Sequence, residues 1–129
     1  MAHFAKINAQ NTILDVVVIN NSDINNLPFP QSEPVGIAFC RSLFGEDTNW
    51  LQTSYNGNFR RQYAALEGFY YPPLDVFVGP CPYPSWFFQT SDATWQAPVP
   101  IPYVPANYIA VWNEDYLEWD VILNPGAAI

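Results

Sequence analysis

Basic side chains are nearly missing from this chain. Lys6, Arg41, Arg60 and Arg61 are the only four, against 12 acidic residues, for a formal net charge of −8. A nucleic-acid-binding surface needs clustered bases to neutralise phosphates. Only Arg60 and Arg61 are adjacent, so nucleic acid is not an expected partner. The same charge opposes adsorption to anionic membranes. Long apolar runs are absent too: the β-branched stretch Val16 to Ile19 is far too short to span a bilayer. The opening MAHFAKINAQ has no basic run leading into an apolar stretch, so no signal peptide is expected. Two cysteines, Cys40 and Cys81, are too few for a disulfide framework. Glycine is sparse, at 6 residues against 13 prolines, which favours short strands and rigid turns over long helices.

Chemistry-bearing residues are equally thin. The single histidine, His3, has no Cys or His neighbour in sequence, which leaves no recognisable zinc site. It is also the only histidine that could activate Cys40 as a nucleophile. A glycosidase needs two carboxyls flanking a cleft. The adjacent pairs Glu46-Asp47 and Glu114-Asp115 fall instead in expected turns, as solvated acids, and lack a calcium-loop spacing. The expectation is a protein that is not an enzyme, with no catalytic residue, no metal and no cofactor.

What the chain does have is apolar and aromatic side chains, 50% and 17% of its 129 residues. That is enough to build a modest core and excludes a disordered acidic polymer. Residues 2–7 and 12–20 read as a β-hairpin around the Asn8–Asn11 turn, because Asn tolerates left-handed backbone. Residues 21–31 read as a loop. A single helix is expected over about 33–44. Ser32 is its N-cap, Pro34 lies in the first turn, and Gly45 is its stop. Val35, Ala38, Phe39, Ser42 and Leu43 would form its apolar face. Asn49–Tyr55 reads as a strand, turned by Asn56-Gly57-Asn58 into a returning strand from Phe59 to Ala65.

The second half repeats itself. Tyr70 and Phe77 are seven residues apart, as are Phe88 and Trp95, and Trp112 and Trp119. Pro80, Pro82 and Pro84 follow the first pair at the offsets at which Pro98, Pro100 and Pro102 follow the second. This predicts three hairpin-like repeats, at about 69–84, 87–102 and 108–122, each with its aromatics facing across the strands. The proline tails would be extended, polyproline-like connectors. The expected fold is therefore mainly β, with serial hairpins and one short α-helix. A division near residue 66 would separate residues 1–66 from the repeats of 67–129, within a length that one continuous domain accommodates.

The segment from Gly36 to Ala64 resembles a family of small uncharacterised proteins of tailed phages that infect marine cyanobacteria. Met1–Lys6 matches the family's opening. Pro82–Trp86, Trp95–Pro100 and Trp112–Asp115 match further elements. Residues 20–31 and the tail after Trp119 lie outside the resemblance. The resemblance implies a phage origin and a virion location, and no defined activity. For a protein made in a reducing host cytoplasm, Cys40 reads as a small core residue, and a Cys40–Cys81 disulfide goes against the compartment.

Two roles follow for such a chain. The first is a capsid decoration (cement) protein that bridges major capsid subunits. The second is a tail, neck or fibre component, with host surface polysaccharide as a candidate ligand. The candidate interface residues are Phe59, Arg60, Arg61, Tyr63, Trp86, Trp95, Trp112 and Trp119. Phe59–Tyr63 is the one basic-aromatic cluster, read either as an edge strand protected by arginines or as a dock for an acidic patch. The tryptophans, with Tyr103 and Tyr108, are core or interface anchors, or platforms for sugar rings.

Overall fold

The computed structural model describes residues 1–126, and the fold is mainly β with one helix. Strands β1 (Ala2–Ile7) and β2 (Ile13–Ile19) form the expected hairpin. Its turn is an Asx turn. The Asn8 carboxamide oxygen accepts from the amides of Gln10 and Thr12, at 2.9 Å each, and Asn11 takes φ +64°. Residues 21–31 are not all loop as expected, since Asn21–Ile24 forms a short 3-10 helix that buries Ile24; helix α1 (Ser32–Phe44) follows, and β3 (Asn49–Thr53) comes next. Strand β3 pairs with β1, which gives an antiparallel sheet of order β2-β1-β3.

Because side chains alternate across a strand, β1 feeds two cores. Ala2 and Phe4 pack with Ile19, Ile24, Cys40 and Trp50 on the helix side. Ala5 packs with Ile13, Ala64 and Phe77 on the other. Phe77 belongs to the first of three short hairpins: β4 (Phe69–Tyr71) with β5 (Val76–Val78), β6 (Phe87–Gln89) with β7 (Thr94–Gln96), and β8 (Tyr108–Asn113) with β9 (Glu118–Leu123).

The three aromatic pairs read from the repeat sit directly opposite one another: Tyr70 and Phe77, Phe88 and Trp95, Trp112 and Trp119. Their ring centroids lie 5.7, 5.4 and 5.2 Å apart in edge-to-face arrangements. Every loop has the same plan. Residues 72–75, 90–93 and 114–117 each end on a left-handed residue, at Asp75, Ala93 and Leu117.

Other expectations are corrected. Phe59–Ala65 is not a strand. Arg60 and Arg61 adopt φ +56° and +70°, and the Arg60 carbonyl accepts from the Gln62 and Phe77 amides. Ser32 does not cap the helix. Gln31 holds that position, and the buried Ser32 hydroxyl donates to Gln52 Oε1 at 2.6 Å. Gly45 does end α1, but at φ +125°, ψ +140° rather than in the left-handed helical well. The buried line of α1 is Ser32, Gly36 and Cys40, whereas Ala38, Ser42 and Leu43 are exposed. The helix approaches the sheet through small residues because the Phe4 ring fills the space over Gly36.

The chain divides into two compact units between Pro80 and Cys81, so the β4–β5 hairpin belongs to the first unit rather than to a separate repeat region beginning at residue 67. The proline tails lie outside helix and strand, and the first is turned, with the Trp86 amide donating to the Tyr83 carbonyl at 3.1 Å. Among the described residues no helix is long and apolar enough to cross a membrane.

Candidate functional site

Within the basic-aromatic cluster the Arg60 side chain is internal where the sequence suggested a surface. The Arg60 side chain is 8% exposed and bridges Glu33 of α1 and Asp75 of the β4–β5 loop. It donates twice to the Glu33 carboxylate, to Asp75 Oδ1 from Nε at 2.8 Å, and to the Gln52 carbonyl at 2.9 Å. Its guanidinium lies over the rings of Phe29 and Tyr70. Phe59 stacks on Phe29 with centroids 3.7 Å apart.

Tyr70 donates its hydroxyl to Asp75 at 2.6 Å. Burial, then this bond, pushes the Tyr70 phenol up to about 12. Burial alone would raise Asp75, but the Tyr70 and Arg60 bonds outweigh it and hold the carboxyl below its usual range. Arg60 therefore ties α1, β3 and the β4–β5 hairpin together, while Phe59, stacked on Phe29, is also part of the wall of the cleft at the end of the first unit's sheet. Arg61 is exposed.

The second unit gathers all four other candidates. Trp86, Trp112 and Trp119 form a triangle with centroids 6.1, 6.0 and 5.2 Å apart. Trp119 Nε1 donates to the Val99 carbonyl at 2.8 Å. Trp112 Nε1 donates to Glu114 Oε1 at 2.8 Å. Trp86 Nε1 is buried without a hydrogen-bond partner among the described residues, a cost of about 1–3 kcal/mol. Trp95 joins Trp86, Trp119, Val99 and Ile101 in lining a pocket of about 280 Å³. With these rings packed on one another, less ring face is open for stacking on sugars than the sequence suggested.

Glu114 sits in the turn expected, but its carboxylate is engaged by hydrogen bonds rather than simply solvated. Its carboxylate also accepts from the Ser85 hydroxyl at 2.7 Å and the Ser85 amide at 3.2 Å. The Trp112 and Ser85 bonds hold its pKa below the usual range. Among the described residues of this unit only Ala93 and Trp112 are buried apolar residues, while Phe87, Ile101, Tyr103, Tyr108, Ile122 and Leu123 are among those exposed. The unit carries Asp92, Glu114, Asp115, Glu118 and Asp120, and no Lys or Arg, since the last base of the chain is Arg61.

Tyr63, the remaining candidate, belongs to a cluster that the sequence did not reveal. His3, Tyr55 and Tyr63 form a ring triangle with centroids 5.3–5.7 Å apart. Beside it, at one end of the first unit's sheet, lies an open cleft of about 570 Å³ with Tyr55 and His3 in its wall. The one signal in the sequence was asparagine density at residues 20–26 and 56–58, which reads equally as loop.

No group of three or more His, Cys, Asp or Glu side chains able to hold a metal lies among the described residues. Both cysteines are free, and burial pushes the Cys40 thiol up to about 11. No protein-family model, no curated protein and no solved structure matches this chain.

Proposed function

We propose that this protein is a non-enzymatic structural component of a phage virion, a decoration protein that docks on major capsid subunits through its second unit. The observation that carries the docking is the apolar surface of that unit. Isolated two-stranded hairpins are marginal in water, and two buried apolar residues among those described do not make a core. Exposed apolar side chains in this number, on a unit with so few buried ones, support an interaction site. Acids without bases suit a partner surface rimmed by Lys or Arg. Several separate hairpins on one chain allow multivalent bridging of neighbouring subunits. The phage setting itself rests on the sequence resemblance.

A tail, neck or fibre position with host polysaccharide as ligand is the second reading, and the cleft beside Tyr55 favours it. Copy number per particle, by quantitative mass spectrometry, separates the two. On the order of hundreds of copies indicates the symmetric shell, and a few dozen or fewer the tail or neck. The full chain carrying Val111→Lys and Ile122→Lys, two exposed β8–β9 positions, should leave particles that assemble but burst more readily on heating. Unchanged heat resistance with lost adsorption to host cells would favour the second reading.

A further inference from the structure

We propose that the cleft at the end of the first unit's sheet is a binding site for a neutral glycan. This goes beyond the docking role of the second unit and does not depend on it. The argument rests on which groups line the cleft and which are missing. Tyr55 is 69% exposed, yet its ring is held by His3 on one side, 5.7 Å away and inclined by 29°, and by the edge of Tyr63 at 5.3 Å. A large ring fixed by its neighbours but open to solvent is a preorganised stacking platform, because little freedom remains to be lost on binding.

Around it stand carboxamides. Asn21, Asn56 and Asn58 line the cleft, and none of their side chains hydrogen-bonds another described residue. Gln52 gives Oε1 to Ser32 and leaves its Nε2 unused among the described residues. A carboxamide offers both donor and acceptor, the pattern that vicinal hydroxyls satisfy. Ile24 and Leu27 supply apolar floor.

No Asp, Glu, Lys or Arg lines the cleft, although the chain carries 16 such residues in all, as 12 acids and 4 bases. Burial, and then the nearby α-amino charge, lower the pKa of His3, which keeps its imidazole neutral at pH 7. The Met1 α-amino group is the one charge beside the cleft, so a phosphate, a uronate or a nucleic-acid backbone would lose its hydration here with no charged side chain and only that terminal amine to replace it. A pyranose presents an apolar C–H face to a ring and hydroxyls to amides, and carries no charge. The volume is in the range of small-molecule sites, about 300–1,000 Å³, which accommodates one to a few sugar rings.

The test is an NMR titration of the full-length, ¹⁵N-labelled chain. Maltohexaose, mannohexaose and N-acetylchitohexaose serve as neutral probes, with heparin and adenosine as charged-glycan and nucleoside comparators. At least one neutral probe should move the side-chain amide signals of Asn21, Asn56, Asn58 and Gln52, with a Kd on the order of 1 mM. That affinity should be insensitive to salt between about 0.05 and 0.5 M. Tyr55→Ala should weaken it by about tenfold or more, Tyr55→Phe by less than about threefold, and Tyr103→Ala in the second unit not at all. The proposal is overturned if no neutral probe moves these signals by about 20 mM, if Tyr55→Ala binds like the unaltered chain, or if heparin or adenosine binds the cleft more tightly than every neutral probe. Because Tyr55 is exposed, its variants should keep the remaining spectrum, and a spectrum that collapses for Tyr55→Ala is replaced by the comparison of Asn56→Asp with the unaltered chain, which should show the same tenfold loss.

Discussion

The Phe4 ring occupies the space that a side chain at Gly36 would need: a Cβ there would fall 1.9 Å from Phe4 Cζ. Phe4 is fully buried, so the ring has nowhere to go. Gly36→Ala should gain helix propensity of about 1 kcal/mol and lose more than that to overpacking, typically about 1–3 kcal/mol and at times more. The net expectation is destabilisation, read as a lower midpoint in urea. Adding Phe4→Leu should recover part of the loss, because the two positions share one volume.

Arg60 leads to a second expectation. Replacing it with Met leaves the Glu33 carboxylate, whose side chain is 18% exposed, without its partner. Because the pair is part-buried and Glu33 still accepts from the Gln52 amide at 2.8 Å, the cost should fall below the about 3–5 kcal/mol of breaking a fully buried pair. Arg60→Lys should fall in between, since a single ammonium cannot reproduce the fork that reaches Glu33, Asp75 and the Gln52 carbonyl. Denaturant unfolding of the single variants and of Arg60→Met with Glu33→Met checks this. The double variant should be more stable than Arg60→Met alone.

Glu114 gives the second unit an acid-sensitive joint. Its folded pKa is depressed by the Trp112 and Ser85 bonds. Its stabilisation is therefore present above the unfolded carboxylate value of about 4.3 and lost as pH falls through the folded pKa. Tryptophan emission should report this, because Trp86, Trp95, Trp112 and Trp119 are in this unit and only Trp50 is in the other. Glu114→Gln should flatten the acid transition in emission. An unchanged transition would place the responsible carboxyl elsewhere.

Leu117 closes the β8–β9 loop at φ +53° and is half exposed. A leucine in that conformation costs roughly 1–2 kcal/mol, with little burial in return. Leu117→Gly should therefore stabilise the hairpin by about 0.5–1 kcal/mol after the added unfolded-state entropy, seen as a higher thermal midpoint by tryptophan emission.

The period-seven aromatic pairs were legible because a hairpin with a four-residue loop puts positions seven apart directly opposite. The pairing of Tyr70 with Phe77 and of Trp112 with Trp119 follows from local spacing alone. The β1–β2 hairpin was legible for the same reason, since its turn chemistry is contained in Asn8–Asn11. The return strand after Asn56-Gly57 was not. Its local turn signal is correct, and the Gly57 amide does donate to the Ser54 carbonyl, but the fate of the next residues depends on a guanidinium finding Glu33 27 positions away. The candidate cleft was hidden likewise, since His3 and Tyr55 meet only when β3 lines up beside β1.

The sequence by itself determined the β class, the single helix, the aromatic pairs and the scarcity of cations, because these depend on composition and on residues within about one turn of each other. Tertiary structure alone decided which face of α1 is buried, that Arg60 is internal, that the first repeat hairpin packs on the N-terminal sheet, and that Glu114 is a hydrogen-bond hub. Each of these is fixed by long-range complementarity of volume or charge, as Phe4 requires a glycine at position 36 and Arg60 requires Glu33 and Asp75, and no local pattern in the chain encodes such pairings.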